Sequence, residues 1–268
     1  MKIVVKIGGS LLRQGIPETL LEDLAGLSRT TQIALVHGGG ETVTEIATKL
    51  GKEQKFIVSP EGIKSRYTDR ETAEIYTMVM SGLLAKRIVL SLRSKGVSAV
   101  SLTGLDGSLF QGKRKKKLVI VDERGRRLLI EGGYTGKVES VNSSLVESLM
   151  SGGYTPVISP VAVGEDSEPL NIDGDRAASS LASGISADAV VFLTNVEGLL
   201  LDGKLVESLS APEASIKLPE VGFGMQKKVI AAADAVNAGV KEAIICSGQG
   251  EAPLSNALAH RKCTVVTA

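Results

Sequence analysis

The sequence predicts an α/β fold, a mostly parallel sheet sandwiched between helices. Short apolar runs alternate with segments of helical periodicity along the whole chain. Two glycine clusters, Lys6-Ile-Gly-Gly-Ser10 and His37-Gly-Gly-Gly40, each follow such a run and precede such a segment. No linker rich in Pro, Gly or Ser and no internal repeat divides the 268 residues, so one continuous sheet with two functional lobes, 1–160 and 161–268, is expected.

In the first half, Lys2 to Ile7 reads as a buried strand, Pro17 to Ser28 as a helix, Ile33 to Val36 as a strand and Glu41 to Leu50 as a helix. A loop carrying Gly62 to Asp69 leads into a long helical stretch from about Arg70 to Ser94, followed by a strand at Val97 to Leu102. Leu118 to Val121 and Arg127 to Ile130, separated by Asp122-Glu-Arg-Gly125, form a hairpin pattern, and a helix is expected near Asn142 to Met150. The second half repeats the alternation. Strands are expected at Thr155 to Ser159, Ala189 to Thr194, Ala243 to Cys246 and Thr264 to Val266, with helices at Gly174 to Ile185 and Met225 to Ala238. In such sheets ligands collect at the carboxyl ends of the strands.

Composition narrows the class. Hydrophobic residues at 43% and charged residues at 23% are ordinary for a soluble globular protein, and the chain is long enough for a core without disulfide or metal support. No continuous apolar run reaches the length of a membrane span, and Met1 leads straight into a strand, which leaves no room for a signal peptide; a cytoplasmic location is the expectation. Cys246 and Cys263 fall in separate apolar strands without metal-ligand spacing and read as reduced core residues. The net charge of +1 hides a segment, Lys113 to Lys137, that carries nine basic residues against three acids, so it is +6 while the remainder is −5. Its hairpin is either a solvated edge protected by lysines or a docking surface for an acidic macromolecule. Four Phe, four Tyr and no Trp leave few stacking platforms for nucleic acid.

The glycine clusters point to anions. At a strand-to-helix turn, missing side chains let backbone N–H groups approach a phosphate, and a following helix adds the positive end of its dipole. Lys6 precedes Gly8 and Gly9, so the pattern is not the P-loop, whose lysine follows its glycines, and no G-x-G-x-x-G follows the first strand. A lysine ending a buried strand needs an anionic partner. Asn171-Ile-Asp-Gly-Asp175 supplies acids before the helix at 174, where either Asp173 or Asp175 could be the N-cap. Gly222-Phe-Gly-Met-Gln-Lys-Lys228 opens another helix, on which Lys227 and Lys228 lie about 100° apart, so only one is expected to face the site. His37 reads as a turn residue, and His260 carries no signal.

Taken in order, KIGGS, VHGGG, RYTD, NIDGD and GMQKKV resemble the amino acid kinase family, on its acetylglutamate kinase branch. Within that branch, Ser59 to Asp69, Leu102 to Gly107 and Ile130 to Val141 resemble the LysZ-type kinases, which phosphorylate the side-chain carboxylate of 2-aminoadipate or glutamate held on LysW, a small acidic carrier protein. The resemblance implies a three-layer αβα sandwich, a homodimer formed through the N-terminal lobe, an acyl-substrate site in that lobe and ATP, with Mg2+, in the C-terminal one. It implies that Lys6 neutralises the transferring phosphoryl group, Lys228 the leaving side, and Asp175 holds both ammonium groups. Gly8, Gly9, Gly39 and Gly40 would line the path with amides, Gly39 and Gly40 also contacting substrate, while Arg66 clamps its α-carboxylate and Asn171 binds it. Lys228 rather than Lys227 takes the phosphate role by alignment of GMQKKV, and Thr194-Asn-Val-Glu-Gly198 resembles a nucleotide-side turn. No protein metal cluster is expected, because Mg2+ can be held by phosphate and water. Lys115, Lys116 and Lys117 are the expected carrier-docking residues, because an acidic carrier would be steered by the +6 segment and a free acetylated amino acid would gain little from it. The rival readings are N-acetylglutamate kinase and a nucleotide-binding regulatory or storage module, though the latter gives no reason to keep Lys6, Asp175 and Lys228 together.

Overall fold

The computed structural model describes residues 1–268, the side chain of Phe223 excepted. Its centre is an eight-stranded sheet in the spatial order Ser208–Ser210, Cys263–Thr267, Glu242–Ser247, Ala189–Thr194, Lys2–Ile7, Gln32–His37, Thr155–Ser159 and Ala99–Thr103. Neighbours run parallel except Glu242–Ser247 against Cys263–Thr267. Residues before 160 contribute four strands on one side and residues after 160 four on the other, and Lys2–Ile7 pairs with Ala189–Thr194 at the joint.

Alternation along a strand decides which helix layer each residue meets. Ile3, Val5 and Ile7 pack on one face with Leu20, Leu24, Ile88, Leu92 and Leu254, residues of Glu18–Leu27, Ala85–Ser94 and Pro253–Leu258. Val4 packs on the other with Ala177, Leu181, Val229 and Ala232, from Gly174–Gly184 and Phe223–Asn237. Two helical layers around one sheet make the expected sandwich. Lys6 shares the face of Val4 and therefore points at the layer that includes Gly174–Gly184 and Phe223–Asn237.

The helical stretch from Arg70 to Ser94 is continuous over 25 residues and apolar enough to span a membrane by length and composition. Its apolar residues Ile75, Val79, Met80, Leu84, Ile88 and Leu92 are spent inside the protein instead, in two core clusters. Its middle, Met78–Leu84, is π-helical.

Several elements lie beyond the expected set. The loop before Asp69 holds a hairpin, Phe56–Val58 with Lys64–Arg66. A second, four-stranded sheet orders Pro169–Asn171, Val161–Val163, Phe110–Arg114 and Gly136–Val141. Phe110–Arg114 escapes a hydrophobic pattern because its second inward position is Gly112, where a side chain would meet Ala162 Cβ at 2.9 Å. Two short helices, Ala211–Lys217 and Pro253–Leu258, are also additional.

Candidate active site

Lys6 leaves the central strand on the face covered by Gly174–Gly184, and its Nζ lies 2.6 Å from Asp175 Oδ1. Lys228, in the second turn of Phe223–Asn237, places its Nζ 3.3 Å from Asp175 Oδ2. One carboxylate thus separates two ammonium groups, all three buried or nearly so. The Lys6 contact is a charge contact without hydrogen-bond direction, which leaves Oδ1 buried and without a directed donor. Burial alone would raise the Asp175 pKa, but the charges of Lys6 and Lys228 outweigh it and hold the carboxyl below the ordinary value. Lys228 is pulled below the ordinary lysine value by burial and by Lys6, against the attraction of Asp175.

The N-cap question is settled by geometry. Asp173 caps the helix, its Oδ1 accepting from the amides of Asp175 at 3.0 Å and Arg176 at 3.2 Å. Asp175 is therefore released from capping and turns inward. Of the two lysines only Lys228 reaches Asp175; Lys227 Nζ lies 3.5 Å from Asp173 Oδ2, outside the buried pair.

The two glycine turns touch each other. A side chain on Gly9 would stand 2.8 Å from Gly39 N, and one on Gly38 would stand 2.8 Å from Gly9 N. Gly39 also abuts Leu84 and Met80 of the π-helical segment, so no side chain fits there. Helix Gly40–Lys49 has no side-chain cap, and its first amides have no partner within the helix. The first turn departs from expectation twice. Gly9–Leu12 is a single 3-10 turn and the following helix begins at Glu18, so no long helix dipole backs this turn. Gly8 donates its N–H to Leu193 O at 3.1 Å, so this amide is engaged within the sheet and does not line the path.

Arg66, at the end of Lys64–Arg66, reaches the start of the second glycine helix. Its Nη2 donates to Gly40 O at 2.6 Å and to Thr44 Oγ1 at 2.9 Å, its Nη1 bonds Gln54 Oε1, and its guanidinium lies 5.1 Å from the Phe56 ring. Burial lowers its pKa. Asn171 Nδ2 donates to Thr68 Oγ1 at 2.9 Å, two residues beyond Arg66 in sequence, so both candidate substrate contacts belong to one neighbourhood. Tyr76, which carried no sequence signal, is buried there; burial first and the nearby Asp173 second raise its pKa, opposed by Arg66.

Beside this site a cleft of about 280 Å³ opens between the Phe56–Arg66 hairpin, the basic hairpin and the helix starts of the second half. Lys115, Ile63, Val119, Asp173, Arg176 and Lys227 are among its lining residues, so it adjoins Asp175 and Lys228 through their sequence neighbours rather than containing them. Lys115, Lys116 and Lys117 are all exposed, and only Lys115 lines the cleft. Crowding by protein and the charge of Arg176 lower the Lys115 pKa. The paired strands are Lys117–Val121 and Arg127–Glu131, as expected. Among the described residues no group of three His, Cys, Asp or Glu side chains could hold a metal ion.

The profile of the amino acid kinase family matches residues 1–247. The chain belongs to the amino acid kinase family. This amino acid kinase is 50% identical over 264 residues, 98% of each chain, to a Nitrosopumilus maritimus protein whose provisional name is LysW-aminoadipate/LysW-glutamate kinase. It is 45% identical over 260 residues, 97% of this chain and 98% of the other, to the LysW-aminoadipate/LysW-glutamate kinase of Metallosphaera sedula. Among solved structures, the smu.665 protein of Streptococcus mutans superposes with a TM-score of 0.81 at 23% identity, covering 100% of this kinase and 98% of that chain. Carbamate kinase from Giardia lamblia bound to AMP-PNP gives 0.69 at 14% identity over 99% and 98% of the two chains. At such identities the superpositions establish the fold.

Proposed function

We propose that this kinase transfers the γ-phosphoryl group of ATP to the side-chain carboxylate of 2-aminoadipate or glutamate carried on LysW, giving an acyl phosphate for lysine and arginine biosynthesis. The observation that carries the reading is Asp175 buried between Lys6 and Lys228 next to the paired glycine turns. The names of the relatives supply the acceptor, and the basic cleft supports it.

The chemistry asks for little more than charge and position. The acceptor carboxylate is ionised near neutral pH, so an oxygen attacks phosphorus without a base, the bond from γ-phosphorus to the bridging oxygen breaks, and ADP leaves. The barrier is repulsion between anions. Lys6 neutralises the moving phosphoryl group, Lys228 the leaving phosphates, and Asp175 keeps the two ammonium groups apart when no phosphate lies between them. Amides of Gly9, Gly39 and Gly40 complete the path, and Gly8 contributes by allowing the strand end to approach Leu193 O. Mg2+ bound by the nucleotide supplies further positive charge at the phosphates. On the acceptor side, Arg66 gives up one of its protein acceptors to take the α-carboxylate as a fork, and Asn171 adds an amide. The second half of the sheet holds ATP and the first half the acceptor.

LysW docks on Lys115, Lys116 and Lys117, where positive charge steers an acidic partner toward the cleft. Two copies pair through the N-terminal half, a reading supported by Met78 and Leu90, which are 55% and 65% exposed on the long helix. The enzyme works in the cytoplasm. Turnover with LysW-bound aminoadipate, LysW-bound glutamate and free N-acetylglutamate, measured side by side, tests the reading. Fast use of free N-acetylglutamate and none of the carrier-bound acids would replace it with N-acetylglutamate kinase.

A further inference from the structure

We propose that His37 is a positioning residue: its imidazole fixes the Gly38–Gly39 peptide so that the Gly39 N–H is aimed into the phosphoryl path. The inference rests on the reading of Gly39 as a phosphate donor. His37 is wholly buried, with Nδ1 3.0 Å from Gly38 O and Nε2 2.9 Å from Ser159 Oγ; Ser159 Oγ in turn lies 3.2 Å from Met80 O in the π-helical segment.

Proton counting fixes the tautomer. Burial holds the ring neutral, so it carries one N–H. Gly38 O can only accept, so a bare Nδ1 at 3.0 Å would face it lone pair to lone pair. A hydroxyl can donate or accept, so Ser159 adapts. The N–H therefore sits on Nδ1, Nε2 accepts the Ser159 proton, and the longer contact to Met80 O is the one that loses the competition.

The consequence follows from peptide geometry. In a trans peptide the C=O of Gly38 and the N–H of Gly39 point in opposite directions. Gly38 N–H is already committed to Ile7 O at 2.9 Å. With its carbonyl held by His37 as well, this glycine cannot rotate, and the next amide is directed away from the ring, beside Gly9. Glycine without such a tether would spread over many conformations. The ring thus supplies order to a backbone donor without touching substrate.

Two amide replacements separate the two ring nitrogens. The amide nitrogen of Asn falls near the position of Nδ1 and that of Gln near Nε2, so His37→Asn keeps the bond to Gly38 O and His37→Gln keeps only the bond to Ser159. We expect His37→Gln to lose about 100-fold in kcat, the scale of one removed oxyanion donor, with KM for ATP and for the LysW-bound acceptor changed less than about threefold. His37→Asn should restore kcat to within about tenfold of the parent. Equal losses in the two folded variants, or no loss in either, would overturn the proposal. A long-range proton–nitrogen correlation on the 15N-labelled parent reads the tautomer without any variant, and the chain has only two histidines to assign. Nδ1–H through neutral pH is expected; Nε2–H sinks the inference even if both variants fail to fold. Absence of turnover with carrier-bound acids in the parent would instead remove the functional reading, and the tautomer would still report on the tether.

Discussion

Lys6 and Asp175 meet at 2.6 Å across the joint between the two halves of the sheet, one from the first strand and the other from a helix 169 residues later in sequence. Lys228 completes the arrangement from a third element. Three buried charges in contact carry a net charge of +1.

Asp175→Asn should expose that balance. Removing the carboxylate leaves two ammonium groups buried without their counter-charge, a change that costs about 3 to 5 kcal/mol. Urea unfolding of the free protein measures it, and a loss below about 1 kcal/mol would show that the pair is solvated. ATP should raise the melting temperature of this variant more than that of the parent, because phosphate replaces the missing anion.

Lys6→Met and Lys228→Met should each lower kcat by about 100-fold or more, with ATP binding affected much less. Rapid-quench single turnover separates the chemical step from release. Turnover unchanged in either variant would remove that lysine from the mechanism.

Acid should destabilise the fold in two stages. His37 has its pKa lowered to about 4, first by burial, with the Gly38 bond opposing and Lys6 adding to the lowering. The unfolded chain takes up that proton near the ordinary 6.5 while the folded chain does not, so this stability is full above pH 6.5 and falls as pH drops toward 4. Between pH 7 and 5 the loss is about 2 kcal/mol, and His37→Asn should abolish it in denaturant titrations. Asp175 is depressed below the ordinary carboxylate value, so its contribution persists above that value and is lost as pH falls through the lower folded one.

Charge reversal at Lys115, Lys116 and Lys117 together should raise KM for LysW-bound substrates, most strongly at low ionic strength, and leave the ATP KM in place. Surface plasmon resonance at two salt concentrations checks it. An effect that does not fade with salt would point to Lys115 acting inside the cleft rather than to steering by the exposed residues.

Much of this was legible because long, periodic segments report their own burial. The apolar run that ends at Lys6 and the helix that carries Asp175 are both visible as periodic segments, whereas the face on which Lys6 leaves its strand is fixed by the packing of Val4 and its neighbours. What the sequence hid depends on contacts between distant parts. Asp173 and Asp175 are equivalent cap candidates until the helix is packed and one of them is seen to accept from the 175 and 176 amides. Gly8 resembles Gly9 in the string, and only pairing with Ala189–Thr194 consumes the Gly8 amide. The Phe110–Arg114 strand and its sheet have inward glycine and outward charge, which reads as loop. Tyr76 is one aromatic on a long apolar helix, unmarked until its surroundings are known.

The position of Lys6 within the sheet also sets what can move. Its strand has hydrogen-bonded neighbours on both sides along its whole length and lies between two packed helical layers, so its amides should be among the slowest in the protein to exchange with solvent. The basic hairpin and the Phe56–Arg66 hairpin are each two-stranded sheets, so their amides should exchange faster than those of the central strand. A fixed charge track behind a yielding entrance would suit the proposed acceptor, which arrives on a carrier: the carrier would find its fit at the edge, while the distance over which phosphate must travel would stay constant.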